Sequence, residues 1–326
     1  MRKRLLDIYA DLKESASTSD FPYLLGNTLH KELITAFKGF PSSWPMFCKK
    51  GNLSDFKTHD RVILSEAPDP SEVEENGPYT GISFKDYRYQ IQAGTFGSTF
   101  TIGRKAIIND DKDGISQFPQ KMGRAMVRKM IKAILTPLKG GPLAYDGKVL
   151  FHDDHANFIA ATALANSAAG AAAVAAACQK LKAAADPHTS EILGLTPKYL
   201  ITGTTLGLIA KQLINSALIW PVSTTGGADF NVLKNLIVIE EPLLDSQVSA
   251  TFWAIMADPA DCPVIEIGFL DGKEDPDLLV KKADTVSLAG GAEDSYGYEF
   301  DDISYKVRHD WGVKTAMYQG IVRGNG

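Results

Sequence analysis

Two histidines and two aspartates stand side by side at His152-Asp153-Asp154-His155, and such side chains can ligate a divalent metal or move protons. Paired histidines hold zinc best at i, i+4 on a helix, with a glutamate between them as general base. Here the spacing is i, i+3 and no glutamate intervenes. The preceding AYDGKVLF predicts a turn at Asp146-Gly147 and then a short strand. The histidines are therefore expected in a loop entering a helix near Asn157, with Asp154 or Asn157 as its N-cap. A metal-dependent hydrolase using the His152/His155 cluster is one reading, and a hydrogen-bonded loop is the simpler one.

Other chemistry is sparse. The remaining histidines, His30, His59, His188 and His309, are scattered along the chain. No GxGxxG follows a strand, GTTLGLIAK from Gly203 lacks the ending of a phosphate loop, and no GxSxG elbow occurs. Glu72, Glu74 and Glu75 lie in a polar stretch that offers no burial for acid–base work. Cys48, Cys178 and Cys262 are odd in number, far apart and in no CxxC pair, which suggests reduced thiols in a cytoplasm and neither a disulfide framework nor a zinc site.

The formal net charge of −5 argues against a surface that grips nucleic acid throughout, because that requires many phosphates to be neutralised. MRKRLLDIYADLKE starts basic like a signal peptide, but Asp7 and Asp11 interrupt its apolar run. No apolar run is long enough to span a membrane.

The elements that must position these residues follow from periodicity. Residues 1 to 13 and Thr28–Phe37 predict helices, and Pro22, Pro41 and Pro45 with exposed-looking aromatics make the first 55 residues an arm. KTHDRVILS at 57–65 and an extended segment over Ile82–Ile102 predict a long hairpin. Its tip, EAPDPSEVEENGPYTG, is too long for a tight turn and is expected to project as a loop.

RKAIINDD predicts a short helix and SQFPQKMGRAMVRKMIKAILTP, from Ser116 to Pro137, a long one. Met122, Met126, Val127, Met130, Ile131 and Ile134 share one face of the long helix, while Lys121, Arg124, Arg128 and Lys132 fall on another. Gly123 lies in the apolar face, where it would let a neighbouring backbone approach at a cost of about 1 kcal/mol in helix propensity. The alanine-rich 161–185 is expected to be helical up to Asp186-Pro187. PKYLITG, NLIVIEE, TFWAIMAD and VIEIGFL predict strands, with a helix TLGLIAKQLINSAL after the first. In ISYKVRHDWGVKTAM, Ile303, Tyr305, Val307, His309, Trp311, Val313 and Met317 alternate with Lys306, Arg308, Asp310 and Lys314, which predicts a long strand with one wet face, or a hairpin bent at Gly312.

This order of parts resembles the major capsid proteins of tailed bacteriophages with the Hong-Kong-97-type fold, and within them the major head subunit of Mu-like phages and prophages. The resemblance rests on FTIGRKAIINDD at 100–111, FPQKMGRAMVRK at 118–129, DGKVLFHDDHANF at 146–158, LTPKYLITG at 195–203 and DISYKVRHDWGVKTAMYQG at 302–320. It implies an α+β fold. Residues 1–55 would be an N-terminal arm, 56–103 an extended β-hairpin loop, and 104–149 a peripheral domain with its spine helix at 116–137. Residues 150–295 would be the axial α/β domain, and 296–326 would return to the peripheral domain.

The resemblance further implies a head protein that self-assembles into hexamers and pentamers of an icosahedral shell around double-stranded DNA, bound without sequence specificity. Its partners would be further copies of itself, a scaffolding protein, a portal and a decoration protein. It would be assembled in the bacterial host cytoplasm and end in the virion, with no membrane, catalytic residue, cofactor or metal. An encapsulin-like compartment shell is the alternative that shares the fold. In related capsids the extended loop lies on the spine helix of an adjacent subunit. Glu66, Asp69, Glu72, Glu74 and Glu75 are thus expected to face Lys121, Arg124, Arg128, Lys129 and Lys132 of a neighbour.

Overall fold

The computed structural model describes residues 21–103, 105, 114–159, 163–219, 229–281 and 302–325. In chain order the elements begin with helices α1 (Phe21–Lys38) and α2 (Trp44–Phe47), then strands β1 (Lys49–Leu53), β2 (His59–Leu64), β3 (Asp86–Ile91) and β4 (Gly94–Gly103). The long helix α3 (Gly114–Lys139), strand β5 (Phe158–Ile159), helix α4 (Ala168–Lys182), strand β6 (Pro197–Thr202) and helix α5 (Thr204–Asn215) follow. Next come β7 (Leu218–Ile219), β8 (Asp229–Phe230), β9 (Ile237–Glu240), the short α6 (Leu244–Gln247), β10 (Phe252–Ala257) and β11 (Ile265–Leu270). The last strands are β12 (Asp277–Val280), β13 (Asp302–Thr315) and β14 (Ile321–Asn325). The helix expected over 1–13 lies outside the described residues, as does that over 104–111 apart from Lys105.

The chain forms two compact units, one made of Met1–Pro41, Gly94–Met130 and Lys273–Trp311, the other of Ser42–Ala93, Ile131–Gly272 and Gly312–Gly326. In the first unit β13 pairs antiparallel with β4, from Asp302 opposite Gly103 to Trp311 opposite Gly94, and with β12 on its other side. The parity expected for β13 holds as far as Trp311 and then breaks, since Gly312 and Thr315 are buried while Val313 and Met317 are half-buried. Ile303, Tyr305, Val307, His309 and Trp311 are buried while Lys306 is exposed.

Leu29 from α1 packs with Ile102, Ile303 and Tyr305, and each such apolar side chain contributes about 1.5–3 kcal/mol when fully buried. Phe100 stacks on Tyr305 at 5.1 Å and Phe96 on Trp311 at 4.1 Å. Gly123 does allow a close approach, since a Cβ there would stand 2.6 Å from the Leu33 carbonyl oxygen of α1.

The second unit is built on a sheet in the order β5-β14-β10-β6-β9, antiparallel at its centre and parallel at both edges. All six residues of β10 are buried, as the continuous apolar run FWAIMA requires of a strand covered on both faces. Helix α4 lays Ala171, Val174, Ala177 and Leu181 into this core beside Leu213 and Ile214 of α5. The alanines let it pack closely. In the same unit β1 pairs parallel with β11, and β2 with β3; the long hairpin expected with all of Ile82–Ile102 is cut short, because Gly94–Gly103 pairs with β13 instead.

Three further expectations from sequence are corrected. Trp44 and Phe47, read as exposed, are buried. Trp44 lies 6.0 Å from the ring of Phe269, a long-range contact no local pattern announces. No helix begins near Asn157; Asp153–His155 form a single 3-10 turn capped by His152, and α4 starts at Ala168 behind its Ser167 cap. AYDGKVLF has the turn but no strand. Of the two readings of the closing stretch, the long strand is the one observed, since residues 302–315 are continuous without a bend at Gly312. Glycine stands there because a Cβ would lie 2.0 Å from the Gln92 carbonyl oxygen.

Candidate functional site

The histidine cluster is held by two turns. Ala144 and Gly147 close the first with backbone bonds, and Gly147 takes the left-handed conformation at φ 78° that glycine tolerates. Asp146 in this turn meets His155 Nε2 at 2.6 Å, while His155 Nδ1 faces the Leu150 carbonyl oxygen at 3.0 Å. His152 Nδ1 accepts the Asp154 backbone N–H at 3.2 Å, and Asp154 pairs with Lys148. That pairing holds the Asp154 carboxyl below the usual carboxylate range and raises the Lys148 amine.

Both ring nitrogens of His155 are thus committed, and the ring lies flat on Tyr318 at 3.7 Å. Among the described residues no group of three or more His, Cys, Asp or Glu side chains is arranged to hold a metal ion. The side chains brought together by HDDH shape the loop. Asn157 completes it, donating from buried Nδ2 to the Leu150 and Tyr318 carbonyls.

A cavity of about 500 Å³ in the second unit is lined by Ile63, Tyr87, Asp186, Leu195, Cys262 and Met317, among others. Asp186 is spent on the backbone N–H groups of His188 and Thr189. Burial pushes the Cys262 thiol up to about 12, so it stays protonated and is no nucleophile. Cys48 and Cys178 are raised for the same reason.

The charged residues singled out from sequence are all at the surface. Glu66, Asp69, Glu72, Glu74 and Glu75 are exposed on the segment joining β2 to β3. Lys121, Arg124, Arg128, Lys129 and Lys132 are exposed along α3, whose opposite side buries Met126, Val127, Met130, Ile131 and Ile134. Met122 is half-buried. Lys129 Nζ lies 5.7 Å from the Phe96 ring centroid. Tyr79, Ile82 and Phe84 are exposed on the same segment as the acids, and Phe118 on the same helix as the bases.

One constellation has no local signal in the sequence. Glu266 of β11 is buried, and it accepts from Arg61 Nε of β2 at 3.0 Å and from the Tyr89 hydroxyl of β3. It roots the hairpin. Burial and this bond raise the Tyr89 phenol. Only the oddity of a glutamate inside the apolar run VIEIGFL could have pointed to it.

Residues 87–324 match the family model described as phage capsid protein. The chain belongs to the phage capsid protein family. The solved structures similar to this capsid protein include a chain of Microbacterium phage Oxtober96, at 12% identity and TM-score 0.57 over 86% of this chain and 89% of that one. The capsid structure of the cyanophage P-SCSP1u matches at 12% identity and TM-score 0.55, over 87% and 88% of the two chains. The virus-like particle from Pyrococcus furiosus matches at 12% identity and TM-score 0.51, over 92% and 99%. No curated protein matches the sequence. The mixed α and β architecture of this capsid protein is the Hong-Kong-97-type fold. Membership points to a structural role and to a place in a virion shell.

Proposed function

We propose that the chain is the major head protein of a tailed phage or prophage, of the Mu-like kind, and that it assembles without enzymatic activity into hexamers and pentamers of an icosahedral shell. The observation that carries this reading is the family match along residues 87–324. The Mu-like assignment draws on the sequence blocks at 118–129, 146–158 and 302–320. Double-stranded DNA would fill the shell, packaged through a portal after assembly on a scaffold in the host cytoplasm, with decoration protein as a further partner. The net charge of −5 suits a wall that does not hold its genome tightly.

In this reading residues 1–55 are the arm, 56–103 the extended loop, 104–149 and 296–326 the peripheral domain, and 150–295 the axial domain. The exposed acids Glu66, Asp69, Glu72, Glu74 and Glu75 dock on Lys121, Arg124, Arg128, Lys129 and Lys132 of a neighbouring copy. Each exposed pair is worth only about 0.2–1 kcal/mol, but a shell repeats it at every subunit. Such pairs set register and orientation more than affinity. Weak contacts also let misplaced subunits leave.

An encapsulin-like compartment would share the fold, and the phage capsid description of the matching family supports the phage reading over it. Negative-stain electron microscopy with light scattering tests the proposal. Rings of five or six, tubes or closed shells are expected, alone or with a scaffolding protein. A monomer or dimer that stays unassembled under both conditions would overturn it, and a specific protein cargo inside the shells would favour the compartment.

A further inference from the structure

We infer that the cavity lined by Tyr87, Asp186 and Gln319 is a binding site for a primary alkylammonium group, a positive head on a hydrocarbon stem. The argument starts from an acceptor without a donor. Gln319 lines the cavity and is 6% exposed. Its Nε2 donates to the Tyr145 hydroxyl at 2.7 Å, which leaves Oε1 buried with no hydrogen-bond partner among the described residues. A buried acceptor left open is costly, so this one favours a donor inside the cavity.

Charge points the same way. Glu66, Asp186 and Asp261 stand on the lining, and no described lysine, arginine or histidine joins them there. Asp186 is 5% exposed. It accepts from the backbone N–H groups of Glu66 at 3.3 Å, His188 at 2.8 Å and Thr189 at 3.1 Å, and the Tyr87 hydroxyl faces it at 3.5 Å. These partners are dipoles, and among the described residues no cation pairs with it. Glu66 and Asp261 are exposed, so they stand where the cavity opens to solvent.

The rest of the wall selects among cations. Ile63, Leu64, Leu193, Leu195 and Met317 are apolar, which is wrong for a bare divalent ion that needs a shell of oxygens and right for a hydrocarbon stem. A guanidinium needs a fork of acceptors, whereas Gln319 offers one open oxygen and those of Asp186 are engaged. An ammonium is a compact point charge that one acceptor and a nearby anion can satisfy. The cavity holds about 500 Å³, within the range of about 300–1,000 Å³ usual for small-molecule sites. Occupancy has a mechanical consequence. Ile63 and Leu64 end β2 and Tyr87 lies in β3, whereas Asp186, Asp261 and Gln319 belong to the α4–β6, β10–β11 and β13–β14 connections. A bound amine therefore ties the hairpin root to the sheet. This site stands apart from the shell reading and can be tested on unassembled chain.

The experiment is isothermal titration calorimetry of the full chain with n-pentylammonium chloride, alongside amide hydrogen exchange over residues 59–64 and 86–91. Saturable binding in the millimolar range is expected, with exchange in both segments slowed roughly threefold or more. Tetramethylammonium has the charge but no N–H, and n-pentanol has the stem but no charge; each should bind roughly tenfold more weakly. Glu66→Gln with Asp261→Asn keeps the shape at two exposed positions and should weaken pentylammonium binding roughly fivefold. Nα-acetyl-lysine N-methylamide carries the same head on a peptide backbone. Tighter binding of it than of pentylammonium assigns the site to a lysine of a protein partner, weaker binding assigns it to a free amine, and either order upholds the site. No saturable binding of either, equal binding of n-pentanol or tetramethylammonium, indifference to the double substitution, or binding that leaves hairpin exchange unchanged would overturn the inference.

Discussion

Arg61 donates through Nε to Glu266 at 3.0 Å and through a terminal guanidinium nitrogen to the Asn52 carbonyl at 2.9 Å. Glu266 is 1% exposed and its other oxygen takes the Tyr89 hydroxyl. Three strands, β2 and β3 of the hairpin and β11, therefore meet at one carboxylate. Removing one partner of a buried ion pair leaves an uncompensated charge, at a cost of 3–5 kcal/mol. Arg61 is about a third exposed, so Arg61→Ala is expected to cost about 3 kcal/mol. Urea unfolding read by far-UV circular dichroism checks this; a loss well under 1 kcal/mol would mean that water replaces the guanidinium.

The contact between α1 and α3 predicts the outcome at Gly123. Alanine there gains about 1 kcal/mol of helix propensity, but its Cβ would press on Leu33 at 2.6 Å and on the Phe37 nitrogen at 3.2 Å. Backbone cannot step aside as a side-chain tip can, and overpacking of this kind costs about 1–3 kcal/mol. Gly123→Ala should lower the melting temperature of the chain. A rise would show that the helices separate freely.

His309 gives a pH dependence of definite sign. It sits in the buried parity of β13 beside Phe37 at 5.6 Å, and burial holds its imidazole below the ordinary value against the opposing pull of Asp310 and Asp275. The unfolded chain therefore takes up a proton first, near the usual value of about 6.5. The stability this residue confers is complete above that value and is lost as pH falls towards the lower folded value. Urea midpoints measured from about pH 7.5 down to pH 5 should fall more steeply for the native chain than for His309→Gln. Parallel profiles would remove His309 as the cause.

Charge reversal tests the docking of loop on helix. Arg124→Glu with Arg128→Glu should slow or abolish assembly, and Glu72, Glu74 and Glu75 changed to Lys in the same chain should restore part of it. Light scattering across a salt series reads both effects, since screening weakens exposed pairs. An assembly rate indifferent to salt and unrescued by the second set would count against this pairing.

Periodicity carried much of the fold. The face of α3 was readable because its methionines and isoleucines recur at helical spacing, and β13 because five apolar or aromatic positions alternate with charge. The Gly123 approach followed from a glycine in an apolar face. What failed was non-local. Trp44 is buried by Phe269, and Lys49–Leu53 pairs with Ile265–Leu270 across more than half the chain; nothing in KKGNL announces a strand. The HDDH cluster was read from its four neighbours, whereas the residue that defines His155 is Asp146, nine positions earlier across a turn. The expected helix start near Asn157 failed because the residues that follow it, Phe158–Ile159, pair with Arg323 and Gly324 of β14, a partner far away in sequence.

Between Arg61 and Lys85 the chain contains no lysine or arginine, although Glu66, Glu72, Glu74, Glu75 and Tyr79 are all open to solvent. A trypsin-like protease has nothing to cut there however far the segment projects. A glutamate-directed protease meets four sites in the same span. The hairpin tip is thus invisible to one class of digestive enzyme and conspicuous to another, which makes paired digestion a direct gauge of whether a neighbour covers it.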